Sequence, residues 1–451
     1  MREVITMKLD EKIVMQGVYS VDEGDTYGLA GALEISESGE IYLDCIHKMS
    51  ASNLDQKDMF NLTGETSALG KILLIDSFTV SSEHKFSGDL SRSKLFCNKM
   101  VCVDKNHQGY DLKTSKMTFE IEDLEKWIAK PIINSEWKDN KKIYSYDLPD
   151  MERIELGDGL SLTLSHSMTI STGNFHERTE VRSKAFAIFE SAEEKDLDFF
   201  IDNGVTLSNL VSFALDSVCT IKNSYYGENN NNRVIYQTEN KIKKRKEINL
   251  VNYYFTMRSA GDRSAEIIKN WFLLSKKLRP TISLYTQLKS GTHQYTEAAF
   301  LSLAQAAEAL HRRTCNDTPM SKSDYRAMVK DIIGKAGEKH ESFLKEKLSY
   351  GYEYSFRQRL ELMLSVCWSD EKIKEREDDI RKIVQARNIF THYPSKGDKI
   401  LNEKLSKDLH DYTKLLENII VSNILFIISS NNKEWTLSIM QRINKFRYRD
   451  F

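Results

Sequence analysis

The sequence predicts an α+β protein, in which a β-rich N-terminal region is followed by an all-α helical bundle. Short alternating or β-branched stretches, broken by Gly, Asn and Asp, occupy the first part of the chain. From about residue 293 onward, apolar residues recur at helical spacing instead. A length of 451 residues suits two or three domains. The changes of pattern predict three, at 1–135, 136–285 and 286–451.

The first β-rich part is predicted from apolar stretches with strand periodicity. Turn sequences such as Glu23-Gly24-Asp25 and Ser38-Gly39-Glu40 separate them, as hairpins require. The predicted strands are 12–19, 29–35, 41–46, 71–80 and 117–121. The segment 121–128, which ends near Trp127, indicates a short helix or the end of a strand, and Pro131 terminates it.

The second part combines strands with a helical and basic segment. Further strands are predicted at 153–156, 160–169 and 184–190. Between 204 and 222 the apolar residues form one helical stripe. From Arg233 to Arg279 there are 12 basic and 4 acidic residues, a net charge of +8.

The third part is predicted to be a bundle of helices joined by short polar links. In the first helix, 295–313, Phe300, Leu303 and Leu310 lie on one face. Ser321 with Asp324 forms a weak capping box at the start of the next. Further helices are predicted at 338–349, 355–367, 373–392 and 401–430.

Cysteine usage and the N-terminus predict a protein of a reducing cytoplasm with no membrane partner. The six cysteines are scattered without a CxxC pair, so neither a disulfide framework nor a zinc knuckle is indicated. The first residues carry charges where a signal peptide needs an apolar core. The longest apolar run, 419–428, is too short to span a bilayer. No metal site and no cofactor are predicted.

The formal net charge of −2 conceals a strong asymmetry. Residues 1–230 contain 24 Lys and Arg against 39 Asp and Glu, a net charge of −15, whereas 231–451 contain 40 against 27, a net charge of +13. Such asymmetry indicates an acidic module joined to one that binds a polyanion. The alternative is two domains with differently charged surfaces.

The basic segment carries Lys243, Lys244, Arg245 and Lys246 among several aromatic residues. Cations beside rings that can stack on bases suit RNA. The alternative is a solvated helix face with ordinary core aromatics. The aromatic residues are Tyr236, Tyr253, Tyr254, Phe255, Trp271 and Phe272.

Arg387 and His392 are the candidate catalytic residues of the bundle, in the sequence Arg387-Asn388-Ile389-Phe390-Thr391-His392. The sequence lacks the phosphate-binding loop, the dinucleotide fingerprint and the HExxH and GxSxG motifs. A histidine can move the proton of an RNA 2′-hydroxyl, and an arginine can hold the phosphate, so that RNA is cleaved without a metal ion. The alternative is that Arg387 pairs with a buried carboxylate and His392 is only a polar cap.

Helical spacing adds two constraints on this pair. Arg387 falls on the same face as Ile380 and Ile383, where a guanidinium requires an anion. His392 lies five residues further on, about 140° around a regular helix. Pro394 predicts that the helix ends near His392. Either the helix then no longer fixes the direction of the His392 side chain, or His392 meets the Arg387 of a second chain.

The pattern Arg387-Asn388-x3-His392 resembles the signature of the HEPN superfamily, whose RNA-cleaving members carry Arg, a polar neighbour and then His. The whole chain resembles the ApeA family of bacterial anti-phage proteins, which joins a β-rich region to a C-terminal HEPN domain. The matching pieces are Gly17-Val18-Tyr19, Gly31-Ala32-Leu33, Leu124-Glu125-Lys126-Trp127, Glu308-Ala309-Leu310-His311 and Phe356-Arg357-Gln358-Arg359-Leu360.

This resemblance implies a bacterial, cytoplasmic endoribonuclease that acts without a metal ion on tRNA or other host RNA and arrests growth during phage infection. It implies Arg387 and His392 as catalytic residues, Asn388 as a site-shaping residue, and Glu308 and His311 as possible supporting residues, with ordinary polar contacts as the alternative for the last two. It further implies a homodimer and a phage-derived trigger. The competing interpretation is a non-catalytic HEPN module that binds RNA or nucleotides beside a phage-sensing β domain.

Overall fold

The computed structural model confirms the predicted α+β class, with strands from Ile13 to Tyr236 and a helical region from Met257 onward. It describes residues 12–21, 28–36, 39–48, 58–84, 89–172, 179–227, 230, 232–236, 253–291, 296–349, 351–392 and 399–447. The chain forms two compact units, one of residues 1–248 and 255–265 and the other of 249–254 and 266–451. The domain boundaries at 135 and 285 stay predictions, and strands from both sides of residue 135 share one sheet.

Six antiparallel strands of the first unit close into a barrel. The order around it is β1-β2-β3-β6-β5-β4, and β4 pairs back with β1. The strands are β1 (Ile13–Ser20), β2 (Leu29–Ile35), β3 (Ile41–Lys48), β4 (Phe60–Thr66), β5 (Gly70–His84) and β6 (Leu90–Cys102). The sequence predicted β1, β2, β3 and β5 to within a few residues, but not β4 or β6.

Alternation of burial along the strands gives the barrel its core. In β3, Ile41, Leu43 and Cys45 point inward and are fully buried. The ring of Tyr19 is also fully buried. It fits because position 64 is a glycine, where a Cβ would lie 2.5 Å from Cδ1 of Tyr19.

The barrel continues into an open sheet through β6, which also pairs with β14. The order beyond β6 is β14-β13-β7-β12-β11-β10. These strands are β7 (Lys113–Ile121), β10 (Glu152–Gly157), β11 (Leu160–Thr172), β12 (Thr179–Asp196), β13 (Ile221–Tyr226) and β14 (Asn232–Tyr236). Two further strands, β8 (Ile133–Lys138) and β9 (Lys141–Tyr146), form a separate two-stranded sheet.

Two helices pack on the open sheet. The short α1 (Leu124–Ile128) contacts β12, and the longer α2 (Leu197–Leu215) contacts β12 and β7. The predicted helix at 204–222 is therefore shifted: α2 begins earlier and ends at Leu215, and the next residue, Asp216, has a left-handed backbone with φ of 50°. The apolar residues after it lead into β13.

The second unit is helical and carries its core between α5 and α11. The apolar face of α5, including the predicted Phe300, Leu303 and Leu310, is buried. The helices are α4 (Ser264–Lys289), α5 (Thr296–Thr314), α6 (Lys322–Ala336), α7 (Glu341–Lys347), α8 (Phe356–Leu364), α9 (Asp370–Glu375), α10 (Glu377–His392), α11 (Lys399–Ile428) and α12 (Lys433–Arg447). The short α3 (Met257–Ala260) precedes them in the first unit.

Most of the predicted bundle helices are confirmed, with two differences. The predicted helix 373–392 is interrupted at Arg376, so that α9 and α10 are separate. The C-terminal α12 was not predicted. Ser321 caps α6 by accepting a hydrogen bond from the backbone N–H of Asp324, as expected. Among the helices described, none is long and apolar enough to cross a membrane.

Close packing at Gly204 on α2 gives a test of the sheet–helix contact. A Cβ at this position would lie 2.6 Å from Cε1 of the fully buried Phe119. Overpacking costs about 1–3 kcal/mol, which exceeds the gain of about 1 kcal/mol for Ala over Gly in a helix. We expect Gly204→Ala to lower the free energy of unfolding by up to about 2 kcal/mol, measured by calorimetry.

The matched control is Gly334→Ala on α6, where a Cβ meets nothing within 4 Å. This change should raise the stability of the helical unit by about 0.5–1 kcal/mol. If both substitutions stabilise the protein, the close approach of α2 to Phe119 is wrong.

Candidate functional site

Arg387 lies at the border of the buried face of α10. Ile380, Ile383 and Phe390 on this face are buried against the bundle, whereas the Arg387 side chain remains 34% exposed. Helix α10 contacts α5, α8 and α11. The ring of Phe390 meets Phe300 of α5 edge to face at 6.2 Å, which fixes α10 next to α5. The Arg387 side chain therefore contacts the bundle and is also partly exposed to solvent.

The anion that Arg387 requires is Glu308 of α5. Nη2 of Arg387 donates a hydrogen bond to Oε2 of Glu308 at 3.2 Å. Nη1 donates to the side-chain oxygen of Asn388 at 3.2 Å, and the guanidinium lies 5.8 Å from the ring centre of Phe356 at the start of α8. The structure thus brings three of the sequence-predicted site residues, Arg387, Asn388 and Glu308, into contact.

A chain of ion pairs continues from Glu308 to α8. Oε1 of Glu308 lies 3.2 Å from Nη2 of Arg312, one turn further along α5. The same nitrogen lies 3.2 Å from Oε2 of Glu353, which also accepts from Nη2 of Arg359 at 3.2 Å. With Arg387 included, three guanidinium groups face two carboxylates, so that the cluster has a net charge of +1.

No role was predicted from the sequence for Arg312, Glu353 or Arg359. A signal was present for two of them. Arg312 follows Glu308 at the i,i+4 spacing of helical ion pairs. Arg359 lies four residues before Met363, so the two side chains share the apolar face of one helix. Glu353 lies outside any helix, so no periodicity indicates its direction.

His311 is a buried acceptor rather than an exposed acid or base. Its ring is 6% exposed, and its Nδ1 lies 3.0 Å from Nη1 of Arg359, which can only donate. Burial, and after it the charge of Arg359, lowers the pKa of His311 to about 4. The neutral tautomer therefore carries its proton on Nε2. His311 is connected to Arg387 through Arg359, Glu353, Arg312 and Glu308, and its supporting role stays a prediction.

His392 is the last described residue of α10 and is exposed. Since α10 is helical from Glu377 to His392, the two candidate catalytic side chains lie about 140° apart around its axis. Arg387 is directed to Glu308, and within the described part of the chain His392 has no hydrogen bond or ion pair. The structure does not bring Arg387 and His392 of one chain together. Tyr393 and Pro394 lie outside the described residues.

The predicted RNA-binding residues Lys243, Lys244, Arg245 and Lys246 also lie outside the described residues. Of the aromatic residues named with them, Tyr254, Phe255 and Trp271 are each 2% exposed and belong to the core. For these rings the alternative of ordinary core aromatics is the correct one, because a ring buried on all sides has no face for a base.

Within the described ranges, no group of three or more His, Cys, Asp or Glu side chains is placed to hold a metal ion. The guanidinium groups of Arg312 and Arg387 are the most exposed charged groups of this cluster, at 50% and 34%, and guanidinium groups bind anions such as phosphate. The arrangement is suited to holding a phosphodiester.

Comparison with protein families gives two matches. Residues 15–271 match the family model described as ApeA N-terminal domain 1. Residues 301–434, which include α5, α8 and α10, match the model described as Apea-like HEPN. Comparison with the curated proteins and with the solved structures gives no significant match.

The lowered pKa of His311 predicts an acid-sensitive bundle. As the pH falls from about 6.5 toward 4, the unfolded chain binds a proton that the folded ring excludes, so that folding loses up to about 3 kcal/mol. His311→Asn retains an acceptor for Arg359 but does not titrate. We expect its free energy of unfolding to fall less than that of the wild type between pH 7.5 and pH 4.5.

Denaturant unfolding of both proteins at the two pH values measures this difference. His340→Asn, which replaces an exposed histidine, is the control and should retain the acid sensitivity of the wild type. An equal loss of stability in the wild type and in His311→Asn would contradict the assignment.

Proposed function

The chain belongs to the ApeA family and carries its HEPN domain, and from this premise we propose that it is a metal-independent endoribonuclease of anti-phage defence. The observation that carries the proposal is the position of Arg387: its guanidinium is one-third exposed, held by Glu308 and Asn388, and lies on the same helix as the exposed His392. A module that only binds RNA has no use for a group that moves protons.

The chemistry proposed for this pair is transesterification within the RNA. His392 as a base takes the proton of the 2′-hydroxyl, whose oxygen attacks the adjacent phosphorus. The bond between phosphorus and the 5′-oxygen breaks, and a protonated histidine gives that oxygen a proton. Arg387 holds the phosphate and stabilises the negative charge that develops on its oxygens. The products are a 2′,3′-cyclic phosphate and a 5′-hydroxyl.

The geometry of α10 supports a site shared between two copies of the chain. Arg387 and His392 point in directions about 140° apart, so one phosphate cannot easily reach both side chains of one helix. In a homodimer with α10 helices side by side, the Arg387 of one copy and the His392 of the other can flank one phosphate. The ion pair with Glu308 leaves part of the Arg387 guanidinium exposed for this contact.

The substrate that we propose is tRNA or other host RNA, and a phage-derived component is the proposed trigger. Cleavage of host RNA arrests growth of the infected cell, which is the logic of abortive infection. The β-rich unit is the proposed sensor, because the helical unit holds the cluster of Arg387, Asn388 and Glu308.

Removal of either candidate catalytic residue tests the activity. We expect Arg387→Ala and His392→Ala each to reduce RNA cleavage by about 10²–10⁴-fold. The first variant lacks the group that stabilises the phosphate, and the second lacks the group that transfers the proton. The assay uses purified protein, RNA and EDTA, with the termini of the fragments identified by end-specific sequencing. The wild type should cleave in EDTA and leave cyclic-phosphate ends.

Arg381→Ala and His340→Ala are the matched controls, since both residues are exposed and Arg381 lies on the same helix. Both should cleave like the wild type. Unchanged cleavage in Arg387→Ala and His392→Ala would overturn the catalytic assignment. Bound but uncleaved RNA in the wild type would instead favour a binding module.

Mixing the two inactive variants tests the shared site. If the site lies between two copies, a mixed dimer of Arg387→Ala and His392→Ala chains contains one site with both residues intact, and activity should partly return. If each site is built within one chain, the mixture stays as inactive as its components.

Glu308 is proposed as a positioning residue for Arg387. We expect Glu308→Ala to lower kcat by about 10- to 100-fold, because the guanidinium loses the carboxylate that orients it. KM should not rise, since the substitution removes a negative charge from the face that meets a polyanion. Steady-state kinetics separate the two constants. An increase in KM with kcat unchanged would show that Glu308 acts in binding instead.

A further inference from the structure

Strands β8 and β9 form a hairpin that stands apart from the large sheet of the first unit. Its turn, Asp139-Asn140, has φ values of 49° and 58°, the two positive values of a type I′ turn. This turn matches the twist of the strands and fixes their register, which pairs Lys138 with Lys141 and Trp137 with Lys142. The side chains of the hairpin therefore have defined faces.

The register separates two chemically different faces. Residues directly opposite each other share a face, and successive residues alternate. One face, the aromatic face, consists of Ile133, Ser135, Trp137, Lys142, Tyr144 and Tyr146. The opposite face carries Glu136 together with Lys138 and Lys141, whereas the aromatic face has one cation and three rings but no carboxylate.

Two of the three rings of the aromatic face are exposed to solvent, and the third, Tyr146, is half-buried. Trp137 is 73% exposed and Tyr144 is 51% exposed, with Ile133 at 47%. Of the other tryptophans, Trp127, Trp271 and Trp435 are buried, and Trp368 is half-buried. A contiguous exposed apolar patch on a soluble unit marks a binding surface more often than a single exposed side chain does.

The arrangement of the rings indicates the chemistry of the ligand. Trp137 and Tyr144 are diagonal neighbours across the two strands, about 7–8 Å apart at their Cα atoms. Lys142 is directly opposite Trp137, and its Nζ lies 5.1 Å from the ring centre of Tyr144, over one face of that ring. Two flat rings in a row with an ammonium beside them match two unstacked bases and the phosphate that joins them.

We propose that the aromatic face binds a single-stranded segment of RNA, with bases stacked on Trp137 and Tyr144 and a phosphate on Lys142. This binding site deepens the proposed function because it names the substrate class, single-stranded RNA. The proposal rests on that function only for the choice of RNA as the ligand. The face also supplies exposed rings beside a cation, which the buried rings of Tyr254, Phe255 and Trp271 do not.

A protein partner is the less favoured occupant. A protein strand that joins a hairpin pairs with its backbone edge and makes no demand for a row of rings on the face. A polyanion, in contrast, accounts for the absence of carboxylates from this face, in a half of the chain whose net charge is −15.

The test measures binding without cleavage. A short fluorescein-labelled 2′-O-methyl oligoribonucleotide keeps bases and phosphates but lacks the attacking hydroxyl, so its affinity for the full chain can be measured by anisotropy even if the protein is not a nuclease. We expect Trp137→Ala/Tyr144→Ala to bind about tenfold or more weakly, as base stacking implies. Lys142→Ala should reduce the slope of log affinity against log salt by about 0.7.

The controls change the opposite face of the same hairpin. Ile143→Ala and Lys141→Ala should retain the affinity and the salt slope of the wild type. Thermal unfolding should be unchanged in all variants because the replaced side chains are exposed. Iodide quenching of tryptophan fluorescence should decrease when the oligonucleotide binds, since Trp137 is the most exposed tryptophan described.

Three results would overturn the proposal. These are no binding by the wild type, equal affinity of Trp137→Ala/Tyr144→Ala and the wild type, or equal losses in the variants of the two faces. Retained oligonucleotide affinity together with lost phage protection in Trp137→Ala/Tyr144→Ala would assign the face to a protein partner. If the protein is not a nuclease, binding of the oligonucleotide by the wild type and its loss in Trp137→Ala/Tyr144→Ala can still be measured. Failure of the proposed function is therefore distinguishable from failure of the proposed binding site.

Discussion

The helical unit depends on the burial of one guanidinium. Arg359 is 5% exposed, and a buried charge is tolerated only where acceptors surround it. Its acceptors come from different places: Nδ1 of His311 on α5, the carbonyl oxygen of Tyr354 and the carboxylate of Glu353 just before α8. Satisfying Arg359 therefore fixes α8 and the segment before it against α5.

This requirement extends to the candidate catalytic residue. Glu353 is shared by Arg359 and Arg312, and Glu308 is shared by Arg312 and Arg387. A single exposed ion pair contributes little to stability, because holding two long side chains in one geometry costs entropy. In a network that includes the buried Arg359, each further ion pair costs less side-chain entropy, because its partner is already held in place. Arg387 is held at the outer end of a rigid chain of charges, where its guanidinium can meet a phosphate.

Local patterns in the sequence predicted the elements that carry the site. The spacing of Ile380 and Ile383 predicted that Arg387 would fall on the apolar face of its helix and require an anion, and Glu308 provides it. The link to Arg359 through Glu353 could not be predicted, because Glu353 lies outside any helix and its other partner, Arg312, is distant in sequence. Similarly, the buried Tyr254 and Trp271 look like stacking residues in sequence, since burial depends on tertiary packing and not on the type of ring.

The β-rich unit was harder to predict for a related reason. The core strands β4 and β6 have mixed polar and apolar residues, and their burial follows from closure of the barrel. Strand β6 pairs with β3 and β5 and, near its end, with β14, whose residues 232–236 follow it by more than a hundred positions. During synthesis, the end of one edge of β6, at Lys99, Met100 and Val101, therefore stays unpaired until the chain has grown past residue 236. An open strand edge is a site of mispairing. The N-terminal unit thus completes its fold slowly and late, as expected for contacts of such long range.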